Sequence, residues 1–158
     1  MSVAVVRVDD RLIHGQVIVG WGQPLGLGFI ALVDDGVRAS DWEQDLYKMG
    51  VPPGIEAIFA SVDEAARRFA EWERDPRVGL VLTGDIDTIT ALAARVPSLH
   101  RITLGGVHHR PGRVERLRYV YLTDEEIAKL RALVARGVEV SAQDVPTARA
   151  VPLAEFAR

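Results

Sequence analysis

The chain has 158 residues, 48% of them hydrophobic and 26% charged, a profile of a globular protein long enough for one sizeable core. It contains no cysteine, which excludes disulfides, thiolate-bound zinc, iron–sulfur clusters and thiol catalysis. Its net charge of −3 argues against bulk nucleic-acid binding, and no apolar run approaches the ~20 residues of a membrane span. The opening Met1-Ser2-Val3-Ala4 lacks a basic n-region, so no secretion signal is expected, and the missing cysteine fits the cytosol.

Short apolar runs alternate with helical patterns along the chain, the signature of a mostly parallel sheet covered by helices. Val3–Val8 reads as the first strand. Residues 16–25 follow as a helix with Val17, Ile18, Trp21 and Leu25 on one face, weakened by Gly15, Gly20 and Gly22. Phe29–Val33 is a strand buried on both faces, closed by Asp34-Asp35-Gly36. Three helices begin with S/T-x-x-E capping boxes, at Ser40…Glu43, Ser61…Glu64 and Thr123…Glu126. Each precedes an apolar stripe: Trp42, Leu46, Met49; then Val62, Ala65, Phe69, Trp72; then Ile127, Leu130, Val134. Further strands are expected at residues 55–59, 78–82, 102–104, 119–122 and 138–141, with another helix over residues 88–96. The expectation is one α/β domain over residues 1–158, of about seven strands and five helices.

The chemistry concentrates in Arg7-Val8-Asp9-Asp10-Arg11-Leu12-Ile13-His14-Gly15-Gln16-Val17. A loop that leaves the carboxyl end of a strand and enters a helix is the favoured place for a ligand in this fold class. A neutral imidazole at His14 is a competent nucleophile near neutral pH. The negative charge of a phosphoryl group on that ring would meet the free N–H groups of Gly15, Gln16 and Val17. Arg11 can pair with two phosphate oxygens, Gly15 allows close approach, and Asp9 or Asp10 can hold the other ring nitrogen. The plainer alternative is a solvated turn with an internal ion pair. A metal site at Asp9, Asp10 and His14 lacks a second ligand cluster. A receiver domain is ruled out, because no aspartate ends the third strand and no lysine follows the fifth.

A second cluster, Leu104-Gly105-Gly106-Val107-His108-His109-Arg110-Pro111-Gly112, leads into Arg113, Arg116 and Arg118. It reads as an exposed loop and edge strand, or as a wall of the cleft in which His108 helps hold phosphate. A nucleic-acid patch is disfavoured because no aromatic residue interleaves with the arginines before Tyr119. If the strand order reverses around the first strand, Thr83 lies beside the His14 loop and can donate to the phosphate. In Thr83-Gly84-Asp85, the carboxylate of Asp85, or that of Asp87, reads more simply as a helix cap.

The run Asp9–Val17 closely resembles the signature of the IIB subunits of the mannose/fructose/sorbose family of the bacterial sugar phosphotransferase system. The likeness continues through Trp21, Leu25, Lys48-Met49, Pro52-Pro53-Gly54, the residue 104–112 cluster, Val120-Tyr121-Leu122-Thr123-Asp124-Glu125-Glu126, Gly137-Val138-Glu139-Val140 and Gln143-Asp144-Val145-Pro146-Thr147. It implies an open, twisted, mainly parallel seven-stranded sheet with helices on both faces and one antiparallel strand near an edge. It also implies that His14 takes a phosphoryl group, through Nδ1, from a phosphohistidine on a IIA partner. Arg11 then orients and neutralises that group, and Asp10 supports the loop. The final acceptor is a sugar of the mannose, fructose or sorbose class, delivered by the IIC/IID membrane subunits. The implied location is cytoplasmic, peripheral to the inner face of the membrane, with no cofactor, metal or bound nucleotide, and an exposed edge strand leaves room for a homodimer. Gly22-Gln23 follow Trp21 where the family usually carries Thr-Lys, and Thr83-Gly84-Asp85 replaces a loop that often carries a basic residue. These departures motivate an alternative: a stand-alone regulatory module that is phosphorylated but acts on a non-sugar partner.

Overall fold

The computed structural model describes residues 2–157. Strand β1 (Val3–Val8) leads through the His14 loop into a π-helical segment, Val17–Gly22, and its continuation α1 (Gln23–Leu25). Then come β2 (Leu27–Val33), α2 (Asp35–Arg38), α3 (Asp41–Met49), β3 (Glu56–Ala60), α4 (Val62–Arg74), β4 (Val78–Thr83) and α5 (Ile86–Arg95). The chain ends with β5 (Arg101–Leu104), β6 (Val114–Leu117), β7 (Val120–Leu122), α6 (Asp124–Ala135), β8 (Glu139–Ala142), β9 (Val151–Pro152) and α7 (Leu153–Phe156).

Seven strands form one sheet in the order β3-β2-β4-β1-β5-β8-β9, parallel except for the terminal β8–β9 pair. Side chains alternate across it. Phe29, Ala31 and Val33 of β2 enter the core beneath α4, α5 and α6, while Ile30 and Leu32 face the opposite core with Val17, Ile18 and Trp21. Neighbouring strands β1 and β4 thus send their following helices to opposite faces. This is the topological switch at which doubly wound sheets open a crevice.

Helix starts follow the capping logic. Ser61 and Thr123 each accept from the N–H of the glutamate three residues on, and that glutamate reaches back to the cap's own N–H. Ser40 accepts from Glu43 N–H at 3.4 Å, and it makes only this half of the box among the described residues. Asp85, not Asp87, caps α5, accepting from Thr88 N–H at 2.7 Å.

Several expectations are corrected. Residues 119–122 are not part of the main sheet, since β7 pairs with β6 in a separate antiparallel hairpin. The seventh strand of the sheet is instead β9, two residues long and ending in proline, too short to leave a periodic trace. The short helices α2 and α7 were also unforeseen. The stripe on α3 does not face a core: Trp42, Leu46 and Met49 are 69%, 56% and 83% exposed, and Val134 on α6 is likewise exposed. The 3.6-residue period identifies a face, whereas burial depends on what lies opposite it.

Candidate active site

At the carboxyl end of β1, Asp9 N–H donates to Thr83 O at 2.9 Å and Asp10 N–H to Gly106 O at 2.8 Å. Gly105 N–H donates to Val8 O, and Gln143 N–H to Leu104 O. The loops after β1, β4, β5 and β8 therefore meet at one point, and His14 stands there. Ile18 N–H donates to His14 O at 3.1 Å, the first bond of the helix. Gly15, Gln16 and Val17 precede that bond, so their N–H groups lie in the donor-rich first turn. Leu12, two residues earlier, has φ of +60°, a left-handed backbone that side chains adopt only at a cost.

Asp9 is the centre of the constellation. It is fully buried, and Arg11 grips it twice, Nε to Oδ1 at 3.1 Å and Nη2 to Oδ2 at 3.0 Å, while Arg11 N–H adds a third bond. Arg7 Nη2 lies 3.6 Å from the same Oδ2, and His14 Nε2 lies 3.9 Å from it. Burial by itself pushes the Asp9 carboxyl up, but the Arg11 hydrogen bonds and nearby positive charge outweigh it and hold Asp9 below the usual carboxylate range. Asp9 raises Arg11 in return, through the same hydrogen bonds. Arg7 is lowered by its own burial, opposed by Asp9 and Asp144.

The ring of His14 is not held as expected. Its Nδ1 lies 2.7 Å from Leu12 O, so that nitrogen carries the proton, because a carbonyl can only accept. Among the described residues the buried Nε2 has no hydrogen-bond partner, and Asp9 is too distant to be one. Asp10 serves elsewhere. It accepts from His108 N–H at 2.7 Å and faces His108 Nδ1 at 2.6 Å, docking the 106–109 loop against the site. Thr83 comes beside the His14 loop as the strand order required, and its buried hydroxyl has no partner among the described residues. A Cβ on Gly15 would meet nothing within 4 Å, so in this chain alone the glycine does not relieve crowding. Crowding is real at Gly105, where a Cβ would stand 2.2 Å from Arg7 Nη2 and 2.8 Å from Asp9 Oδ2.

Two arginines of the basic stretch after His108 are engaged within the fold. Arg113 binds Glu126 through two hydrogen bonds, and Arg116 pairs with Asp124, fastening the hairpin to the start of α6. Sequence reasoning gave Arg7 and Asp144 no role in the site. Arg7 is wholly buried, stacks 4.6 Å from the Trp21 ring centroid, and donates to the carbonyls of Gln143 and Asp144. An arginine inside an otherwise apolar strand was the available signal, since buried charges are rare without a partner. Asp144 is marked only by its place in the Gln143–Thr147 run of the resemblance.

Arg11 has five N–H donors. Asp9 takes one on Nε and one on Nη2, and Gln16 Oε1 takes one on Nη1 at 3.1 Å. Among the described residues two remain, one on each Nη; with Gln16 on the Nη1 hydrogen that points away from Nη2, they are the pair needed for two-pronged contact with an oxyanion. Arg11 and His14 converge on one oxygen of Asp9, so this cation and the imidazole are immediate neighbours.

Over residues 3–158 the sequence matches the family described as the PTS system sorbose subfamily IIB component. The chain belongs to that family. It is 30% identical to the N-acetylgalactosamine-specific phosphotransferase enzyme IIB component 2 of Escherichia coli (strain K12) over 152 residues, covering 96% of each chain. It is 29% identical to the PTS system mannose-specific EIIAB component of the same organism, over 93% of this chain and 46% of that one. Among solved structures, the N-acetylgalactosamine-specific IIB component 1 from Escherichia coli superposes with a TM-score of 0.86 at 26% identity, covering 94% of this chain and 97% of that chain. Phosphotransferase-system sugar transport is therefore the setting of this IIB chain. Among the described residues no helix is long and apolar enough to cross a membrane, and no three His, Asp or Glu side chains gather as a metal site.

Proposed function

We propose that His14 is the covalent phosphoryl carrier of this IIB component, loaded by a phosphohistidine on a IIA partner and discharged to a sugar. The IIC/IID membrane subunits present that sugar hydroxyl, and this chain docks to them from the cytoplasmic side. The observation that carries the reading is Arg11, which keeps two N–H donors beside the His14 ring at a helix start. The EIIAB name of the mannose relative supports IIA as the donor.

The transfer is a bond exchange. The donor's N–P bond breaks as the His14 Nδ1–P bond forms; later that bond breaks as an O–P bond forms to the sugar, whose hydroxyl proton passes to the freed imidazole and on to water. Positioning and charge neutralisation suffice for such steps. Attack by Nδ1 requires its proton to move to Nε2 and the ring to leave Leu12 O. Asp9 Oδ2, 3.9 Å from Nε2, becomes the acceptor for that proton when the ring leaves Leu12 O and closes on it, which makes Asp9 the orienting group. The arriving group meets the Arg11 fork, the N–H groups of Gly15 and Gln16, and the unpartnered hydroxyl of Thr83. His108 stands at the rim, positioned by Asp10.

The test is labelling with phosphoenolpyruvate, enzyme I, HPr and a cognate IIA. Wild type should take up phosphate and His14→Ala should not; equal labelling of the two would end the proposal. Sugar phosphate formed in membranes carrying IIC and IID establishes the second transfer. Labelling without it, in the presence of every candidate sugar, points to the regulatory alternative.

A further inference from the structure

Gln16 is held from two sides. Its Oε1 accepts from Arg11 Nη1 at 3.1 Å, and its Nε2 donates to Asp144 Oδ1 at 2.8 Å. The orientation of that amide is forced. A guanidinium only donates and an ionised carboxylate only accepts, so the oxygen must face Arg11 and the nitrogen Asp144. Asp144 is itself anchored, because its backbone carbonyl accepts from Arg7 Nη2 and from Trp21 Nε1, both at 3.0 Å. The chain Arg11–Gln16–Asp144 thus ties the His14 loop to the segment after β8.

We propose that Asp144 is a positioning residue for phosphoryl transfer, acting through the Gln16 amide to fix the Arg11 guanidinium beside His14. The proposal rests on the reading of His14 as the phosphoryl acceptor. Asp144 does not touch the phosphoryl group, which its charge would repel. By binding Nε2 it turns Oε1 toward Arg11, so that Gln16 on Nη1 and Asp9 on Nε and Nη2 hold three of the five donors. The remaining two are then aimed as a pair. Without the carboxylate only the Arg11 donor favours that orientation, and the amide turns over more readily, setting its own NH2 against the guanidinium. Gln16 accordingly serves the phosphoryl group through its backbone N–H, while its side chain serves Arg11.

A polarity swap tests this. Asp144→Asn keeps the size of the side chain and both backbone contacts, but no longer dictates the amide orientation. Labelling of His14 by phospho-IIA is expected to slow on the order of tenfold. Gln16→Glu sets two carboxylates face to face and should also slow. In the double variant Asp144→Asn/Gln16→Glu, the new amide donates to the new carboxylate, which accepts from Arg11. It should label faster than either single variant. Wild-type labelling by Asp144→Asn, or a double variant as slow as the two single effects multiplied, overturns the proposal. Thermal melts identify any variant that fails to fold, and Asp144→Ala then replaces Asp144→Asn. A second readout needs no phosphodonor: nitrogen-15 NMR of the unphosphorylated protein should show restricted Arg11 Nη1 rotation in wild type and double variant, and faster rotation in Asp144→Asn. Equal rotation in wild type and Asp144→Asn also overturns it, whereas failure of wild type to label at all strikes only the carrier reading.

Discussion

Asp9 and Arg11 form a two-pronged ion pair in which the carboxylate is fully buried and the guanidinium is partly open to solvent. The buried carboxylate also lies against Arg7, which is wholly buried as well. Removing one charge from such a cluster leaves the others uncompensated, at a cost of about 3–5 kcal/mol. Asp9→Asn should lose stability on that scale in urea melts at neutral pH. A loss below about 1 kcal/mol would mean that the Arg7 charge is compensated without Asp9, by the Gln143 and Asp144 carbonyls and the charge of Asp144.

The same pair sets a pH dependence. The Asp9 carboxyl lies below its unfolded value, so its contribution is complete above the unfolded carboxyl pKa of ~3.9. That contribution is lost as pH falls through the lower, folded value. Glu64 and Asp75, each drawn down to about 2 by hydrogen bonds with Ser61 and Arg77 respectively, share this acid limb. The comparison of wild type with Asp9→Asn isolates the Asp9 part. Their difference in unfolding free energy should be constant from pH 7 to 5 and shrink below pH 4. A gap that widens on acidification contradicts the assigned direction.

Two glycines separate crowding from permissiveness. Gly105→Ala would drive a Cβ into Arg7 Nη2 at 2.2 Å and Asp9 Oδ2 at 2.8 Å, and neither group is free to retreat. Overpacking of this kind costs about 1–3 kcal/mol. Because the strain falls on the group that holds Arg11, His14 labelling should fall with it. Gly15→Ala adds a methyl with nothing within 4 Å, in the first turn of a helix. Its stability should be unchanged or up to ~1 kcal/mol higher. Calorimetry of the two variants side by side checks the contrast, which fails if Gly15→Ala is the more damaging.

The parallel strands were legible because Val3–Val8, Phe29–Val33 and Val78–Leu82 are apolar runs too short for helices and bounded by turn residues. The sheet order around β1 followed from the doubly wound pattern, and it placed Thr83 correctly. Residues 119–122 carry the same local pattern as a core strand, and only the antiparallel partner Val114–Leu117 shows that they form a hairpin. At the site, the Asp9–Arg11 ion pair was readable because one loop encodes it, whereas the contacts of His14 with Leu12 O and of Arg11 with Gln16 were not. The division of labour between Asp9 and Asp10 was not, since it depends on which carboxylate points inward. Asp144 meets Gln16 across 128 residues, a contact with no local signature.

The apolar stripe of α3 gives the last prediction, because sequence period and structure disagree about it. By period alone, Trp42, Leu46 and Met49 belong to a core, and truncating the tryptophan should cost about 3–5 kcal/mol. In the fold they stand exposed, while Tyr47 and Val51 make the contact with the core beneath. Exposed side chains away from caps and ion pairs contribute within about 0.5 kcal/mol. Trp42→Ala, Leu46→Ala and Met49→Ala should therefore leave the urea midpoint almost unmoved. Trp72→Ala is the internal control, since Trp72 is 1% exposed and packs edge-on against Phe69 at 6.1 Å. It should lose about 3–5 kcal/mol. If Trp42→Ala destabilises the isolated chain as much as Trp72→Ala does, α3 is seated differently from its place in this structure.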